Sequence, residues 1–454
     1  MSDRRVSSRT WLDRSDCASQ KDARTAQPAA QLFFRCIVKV GEASVPRLSP
    51  YKETLAWLYG LQRFGIKLGL ENIQRLIAAL QVELGDGRVI HVAGTNGKGS
   101  VCAMIDSILR ARKYRTGLFT SPHLVTFRER IRVNGEMISE EAVAKGLTTI
   151  RDLVRDWDPH PTFFEITTAL ALKHFSNAKI DIVILETGLG GRLDATNAVQ
   201  PNVSIITPIE LDHQQWLGDT IEKIATEKAG VIKPKIPVVA AAQPSDAEKV
   251  IHAQAAECEA PLQFVHDAYH KSRVGLPGEH QKQNAALAIA ALRAAKIDID
   301  DSSIANGLSS VDWPARFQHW DDRIVIDGAH NPAAARVLAQ TWRETFGDQR
   351  ASLILAILSD KDLPGICAAL APIAAYVLLP KIRSERAVSP DDLAKVLSVK
   401  SPSLPYSITA SIDEALAKAQ SRPAPILITG SLHFAGEVLA CLHGEPAAFE
   451  ECAQ

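Results

Sequence analysis

An α/β fold follows from three observations on this sequence. Short β-branched apolar runs alternate with stretches of helical spacing. The first run in the regular part of the chain ends in a glycine-rich turn. A second, shorter series of alternating runs begins after Trp313-Pro314. Strands alternating with helices imply a mainly parallel sheet covered on both faces.

Taken in order, residues 1–50 carry nine basic and five acidic side chains and a short apolar piece at 32–40. They read as a poorly ordered N-terminal extension, or as a start codon placed upstream in error. Asp3, Asp13, Asp16 and Asp22 argue against an Arg-rich transit peptide. Regular patterning begins at Tyr51. Ile73, Leu76, Ile77 and Leu80 fall on one face of an amphipathic helix. Residues 88–93 are expected as a strand and 101–113 as a helix. Further strands are expected at 180–185, 203–207 and 238–242, and an Ala- and Leu-rich helix at 281–296 closes this first domain. The second series predicts strands at 323–327, 353–358, 375–379 and 426–429, with helices at 332–346 and 411–419 between them. The boundary is placed near 312–314, which divides the chain into 1–50, 51–312 and 313–454.

Composition narrows the function classes. The chain has 454 residues, 46% hydrophobic and 23% charged, values ordinary for a soluble globular protein of two or three domains. The 51 basic and 52 acidic residues nearly cancel, so no global positive field points to nucleic acid or an anionic membrane. No apolar run reaches the ~20 residues of a membrane span, and no secretory signal pattern is present. The seven cysteines, an odd number without CxxC spacing, fit reduced thiols in a cytoplasmic protein.

The most informative stretch is Ile90-His-Val-Ala-Gly-Thr-Asn-Gly-Lys-Gly-Ser100. A buried strand runs into a turn containing Gly94, Gly97 and Gly99, and a helix starts near Ser100. Glycines let backbone N–H groups approach phosphate oxygens, and a helix N-terminus adds partial positive charge. Lys98 would place its ammonium on the β- and γ-phosphates, and Ser100 its hydroxyl on Mg2+. The general pattern GxxxxGK[ST] is only partly met, because Val92 stands at its first Gly and Gly99 at its Ser/Thr. The architecture expected is thus a parallel-sheet, P-loop ATPase-like domain followed by a smaller Rossmann-like α/β domain.

Two more strand ends carry chemistry. The run 180–185 leads into Glu186-Thr-Gly-Leu-Gly-Gly-Arg-Leu-Asp194, and 203–207 into Pro208-Ile-Glu-Leu-Asp212-His213. In an open parallel sheet, ligands bind beyond the carboxyl ends of the strands. Glu186 and His213 are therefore candidate metal ligands beside Ser100, although an imidazole is an unusual ligand for Mg2+. Lys228, in Thr226-Glu-Lys-Ala-Gly230, reads by itself as a surface lysine.

Together these motifs resemble the folylpolyglutamate synthase and dihydrofolate synthase family of the Mur-ligase superfamily. The likeness runs from Tyr51 to about Gly436. It rests on 63–70, 94–100, 120–124, 129–132, 186–197, 211–213, 216–218 and 227–230, then on Arg316-Phe317, 327–332 and Gly430-Ser431. The chain departs from the family pattern at Thr126, Arg128, Thr187, Pro208 and Glu210. The resemblance implies that Gly94, Thr95, Asn96, Gly97, Lys98, Gly99 and Ser100 hold the nucleotide, with Asn284, Arg316 and Asp327. Ser100, Glu186 and His213 would be the metal ligands. Lys98, Lys228, Asp327 and His330 would serve catalysis, Lys228 as a carbamylated lysine. Ser121, Pro122, His123 and Asp194 would lie on the pterin side.

The activity so implied is ATP-dependent joining of L-glutamate to dihydropteroate, to a reduced folate, or to both. The carboxylate would first become an acyl phosphate. The resemblance further implies Mg2+, in two positions, with K+ as an accessory ion, in a cytoplasmic monomer. Two alternatives stand beside it: a ligase for a peptidoglycan precursor, and a P-loop NTPase without ligase chemistry. The first would ordinarily carry a further N-terminal domain. The second leaves the 327–332 motif unexplained.

Overall fold

The computed structural model describes residues 49–64, 69–85 and 87–450, with Arg63 and Phe64 described through their backbone alone. Most of the expected extension 1–50, the 65–68 part of the 63–70 motif, and Cys17, Cys36 and Cys452 lie outside the described residues.

Arg88–Ala93 (β1) is the strand from which the first sheet is best understood. Its side chains alternate between two buried faces. Val89 joins one apolar cluster with Phe119, Phe127 and Phe175, while Ile90 and Val92 join another with Ile105, Ile108 and Leu292. A strand buried on both sides reads as a continuous apolar run, which is why the pattern was legible. The chain continues through Thr116–Phe119 (β2), the short hairpin Ile131–Val133 (β3) and Glu136–Met137 (β4), and Ile182–Glu186 (β5). Val203–Ile206 (β6), Val238–Ala241 (β7) and Leu262–Val265 (β8) complete the sheet. The order is β4-β3-β2-β5-β1-β6-β7-β8, parallel except at β3, which runs antiparallel to both β2 and β4.

Neighbours are added on one side of β1 and then on the other, so a crevice opens at the carboxyl ends around it. Register makes those ends level: Val92 pairs with Glu186, and Ala93 with Ile206.

The second sheet comprises Gln318–His319 (β9), Ile324–Ile326 (β10), Ala351–Leu355 (β11), Ala374–Pro380 (β12), Tyr406–Thr409 (β13) and Ile426–Thr429 (β14). Its order is β13-β12-β11-β14-β10-β9, with only β9 antiparallel. The helices Pro332–Phe346 and Ile412–Gln420 lie between strands as the spacing implied.

Differences from the sequence reading have local causes. The helix expected at 101–113 starts at Lys98 and ends at Ala111, because Gly97, at φ 88°, caps it directly out of the glycine turn. The strand expected to reach 358 stops at Leu355; Leu358 instead makes an isolated bridge to Ala387. β2, β3, β4, β8, β9 and β13 were not foreseen, being two to four residues long with little period to read. Among the described residues, no helix is long and apolar enough to cross a membrane.

Candidate functional site

The turn after β1 is forced by packing. Gly94 has φ 142°, and a Cβ there would fall 1.9 Å from Thr207 Oγ1. A Cβ on Gly97 would meet Asn284 Oδ1 at 2.9 Å. The helix Lys98–Ala111 then begins with no side-chain cap and no acidic residue in its first turn, so its positive end faces the crevice. Lys98 Nζ donates to the carbonyls of Gly94 (3.2 Å) and Thr95 (3.3 Å).

Two of the loop's amides do something the sequence did not suggest. Thr95 N–H and Asn96 N–H both donate to Pro208 O, at 3.0 and 3.2 Å. Thr95 Oγ1 also receives the Glu210 N–H at 3.1 Å. The loop is thereby braced on the segment after β6, and Thr95 acts on its neighbour's backbone. Asn96 pairs with the Asn331 amide of the second sheet's helix, at 3.0 and 3.4 Å.

Glu186, at the end of β5, is buried. Burial raises its carboxyl above the ordinary range, against the pull of Lys98, the Ser121 N–H and Arg316. Its Oε2 accepts the Ser121 N–H at 3.2 Å. A Cβ on Gly99 would lie 3.7 Å from the same oxygen, so the carboxylate borders the phosphate turn. Ser100 is buried and its Oγ accepts from Gln281 Nε2 at 3.3 Å. His213 sits in the left-handed region at φ 51°, exposed at the wall of the cavity; loss of hydration there lowers its pKa to about 4, keeping the imidazole neutral.

Lys228 is not a surface residue. Only 5% exposed on the helix Ile221–Ala229, it donates from Nζ to Gly94 O at 2.7 Å. Burial, helped by the charge of Lys98, lowers its pKa to about 7.

The second sheet supplies the opposite wall. Asp327 follows β10 and accepts the N–H groups of Phe317 and Ala329, each at 2.8 Å. Burial raises its carboxyl, and Arg316 opposes that. His330 donates from Nδ1 to Gly328 O at 2.8 Å, and its Nε2 lies 3.5 Å from Asp212 Oδ2. Asp212 is the hub between the two walls. It accepts Lys361 Nζ at 2.7 Å and Asn331 Nδ2 at 3.4 Å. Burial alone would raise its carboxyl, but the His330 bond and the Lys361 ammonium hold it well below the usual range.

On the remaining side, Asp194 accepts from the N–H groups of Gly188 and Leu189, both at 2.9 Å, and from the N–H and hydroxyl of Thr196. His123 has both ring nitrogens engaged. Arg130 Nε donates to Nδ1 at 2.8 Å, and Nε2 lies 2.8 Å from Glu450 O. These two residues shape their loops first, and offer a ligand a wall more than a free hydrogen-bonding group.

Lys98, Glu186, Asp194, Asp212, Lys228, Asp327 and His330 border one cavity of about 780 Å³. Each site residue expected from the sequence is in its lining: Gly94 to Ser100, Ser121 to His123, Glu186, Asp194, His213, Lys228, Asn284, Arg316, Asp327 and His330. Asp212, Asn331, Lys361 and Gln281 were given no role by the sequence reading. Lys361 follows the predicted strand 353–358 in Ser359-Asp-Lys-Asp362. Its place just past a strand end was the available signal.

Among the described residues, no three His, Cys, Asp or Glu side chains cluster as a metal cage. The donors at hand are instead one buried carboxylate, one hydroxyl and one neutral imidazole. A divalent cation that keeps waters and borrows phosphate oxygens needs no more than that from the protein, so these residues fit it.

Two family models match: the Mur ligase middle domain over residues 92–240, and the Mur ligase glutamate ligase domain over 315–432. The dihydrofolate synthase/folylpolyglutamate synthase of Bacillus subtilis is 37% identical over 425 residues, covering 86% of this chain and 98% of its own. The crystal structure of E. coli FolC in complex with DHPP and ADP aligns with TM-score 0.78 at 32% identity, over 87% of this chain and 98% of that one. The bifunctional folylpolyglutamate synthase/dihydrofolate synthase from Yersinia pestis, complexed with AMPPNP and Mn ion, gives 0.79 at 33%, with the same coverages. By this likeness along nearly the whole length of these three relatives, the chain belongs to the folylpolyglutamate synthase/dihydrofolate synthase family of Mur ligases.

Proposed function

We propose that this chain joins L-glutamate to both dihydropteroate and a tetrahydrofolate-type acceptor, with Lys98, Lys228, Asp327 and His330 as the working groups. The chain is an ATP-dependent ligase of the folylpolyglutamate/dihydrofolate synthase type, using a divalent metal. The observation that carries the residue assignment is the convergence of three strand ends of one sheet, and one of another, on a single cavity.

A carboxylate does not acylate an amine in neutral water without activation. Its oxygen attacks the γ-phosphorus of ATP, the bond to the β–γ bridging oxygen breaks, and ADP leaves. Lys98, at the positive end of its helix, stabilises charge on the transferred phosphoryl group. Ser100, Glu186 and His213 would hold Mg2+, which supplies further charge stabilisation at the phosphates. The glutamate amine then attacks the acyl phosphate, and the tetrahedral intermediate expels phosphate to leave the amide. Asp327 and His330 face this step from the second wall, and closure of that wall keeps water from hydrolysing the acyl phosphate.

Lys228 suits carbamylation because only a neutral amine attacks CO2. With its pKa lowered to about 7, a large fraction is neutral at physiological pH. The N–C bond forms, one proton leaves the nitrogen, and the neutral amine becomes a carboxylate-like anion. That anion beside the phosphate loop would complete a second Mg2+ position. The same reading takes residues 313–454 as the closing domain and the protein as a cytoplasmic monomer, with K+ as an accessory ion.

The deciding assay gives the purified protein Mg-ATP and labelled glutamate, with dihydropteroate in one tube and tetrahydrofolate in another. Label in amide product is expected in both. Product in one tube only would cut the activity to that half, and ATP hydrolysis without incorporation would end the ligase assignment.

A further inference from the structure

Beyond helix Leu432–Leu442, the chain turns back toward the first sheet's loops. Arg383 Nη1 holds Pro446 O at 2.9 Å, and the Phe449 ring meets His433 edge-on with centroids 5.0 Å apart. Glu450 then engages the loop 121–127 with its backbone and its carboxylate. Its N–H donates to Val125 O at 2.8 Å, and its carbonyl oxygen lies 2.8 Å from His123 Nε2. Its Oε2 accepts Phe127 N–H at 2.6 Å, and the hydroxyls of Thr126 and Tyr51 at 3.1 Å each.

The His123 tautomer follows from its partners. Arg130 Nε donates to Nδ1, so the ring proton sits on Nε2 and is donated to Glu450 O. The loop is otherwise shaped by Glu129, whose carboxylate accepts the N–H groups of Leu124, Val125 and Thr126 at 2.8–2.9 Å. It is also tied to the phosphate side by Ser121 N–H on Glu186. Helix Leu432–Leu442 presses on the same loop: a Cβ on Gly436 would come 1.9 Å from Leu124 O. Glu450 lies beyond the 315–432 match to the glutamate ligase domain.

We propose that Glu450 is a positioning residue: it fastens the 121–127 loop in the shape that receives the acceptor substrate, acting through His123 and the backbone at 125–127. The residue does not touch the substrate. This rests on the ligase reading above for the substrate's identity, and on geometry alone for the fastening.

The test compares the full chain with E450A and E450Q. Charge-assisted bonds to a carboxylate are strong enough that losing them in E450A should raise amide hydrogen exchange at 121–127 about tenfold, with 94–100 unchanged. KM for the tetrahydrofolate-type acceptor should rise about tenfold and KM for ATP stay within about twofold. E450Q keeps an oxygen at the Oε2 position and should restore both readings. Unchanged exchange at 121–127 in E450A overturns the proposal, as does an equal rise in both KM values or a defect in E450Q as large as in E450A. Should E450A fail to fold, T126V removes a single donor and reads the same loop: a smaller rise in its exchange is expected, and none overturns the idea. A wild-type chain that glutamylates no folate-type acceptor would sink the ligase reading, while the exchange experiment still decides the fastening.

Discussion

The Lys98 side of the cavity and the Asp194–His123 side differ in how fully their polar groups are partnered. Lys98 donates to two carbonyls at 3.2 and 3.3 Å, Glu186 accepts the Ser121 N–H, and Lys228 donates to Gly94 O with its pKa lowered to about 7. On the other side, Asp194 accepts from three N–H groups and a hydroxyl, and His123 spends both ring nitrogens on protein partners. Burial raises the carboxyls of Glu186 and Asp194 alike, so the difference lies in hydrogen bonding. Under the proposed function, a triphosphate and its metal would complete the first side, and the second would select by the shape of two fastened loops.

That contrast can be broken by mutation, and the largest effect belongs to Lys98. K98A should lower kcat about 10³-fold with little change in melting temperature, since its carbonyl bonds are long and the attraction lost at buried Glu186 is offset by the repulsion relieved at Lys228. A variant that merely doubled KM for ATP would show the charge to be binding, not catalytic. D212A comes next, as a stability effect. It leaves the Lys361 ammonium, whose side chain is 7% exposed, without its 2.7 Å partner. Asp360 still faces Lys361 at 3.3 Å, so the loss should be about 3 kcal/mol in denaturant unfolding. A smaller loss in D212A/K361M than in D212A alone would identify the stranded charge as the cause.

Lys228 should follow at about 10²-fold in kcat for K228A, in a folded protein. Wild-type activity should fall in CO2-depleted buffer and recover on adding bicarbonate, and K228A should respond to neither. The sign of the linkage is fixed. The unfolded lysine titrates near 10.5 and the folded one near 7, so between those values the unfolded state binds more protons and stability rises with pH. K228M should therefore be stabilised relative to wild type most below pH 7, and the gain should shrink toward pH 10.5. A constant difference across that range would mean that Lys228 is not buried uncharged. The smallest effect expected is D194N, which should raise acceptor KM about tenfold or less and leave ATP unaffected, because the amide keeps one accepting oxygen for the loop. A collapse in kcat instead would make Asp194 a reacting group and erase the contrast.

Much of the first wall was legible before any fold was known. A doubly buried strand running into Gly94-Thr-Asn-Gly-Lys-Gly-Ser100 announces itself through local chemistry: apolar continuity, φ positions suited to glycine, and a helix start. Glu186 and His213 were readable as strand-end residues by the same logic. Lys228 was not legible from pattern alone, because nothing in a helix reading says which face a neighbouring loop will cover. Asp212 was visible as part of a motif but not as a hub, and Glu450 not at all.

The sequence by itself determined the alternation of elements, the phosphate turn and which side of the sheet would carry ligands, because periodicity and turn stereochemistry act over a few residues. Tertiary structure alone decided which of those groups are neutralised by partners and which stay unsatisfied. Lys361 reaches Asp212 across 149 residues, and Glu450 reaches His123 across 327. Such pairings come from strand order and crossover, and burial then shifts the charges. Neither is encoded in the spacing of any one segment.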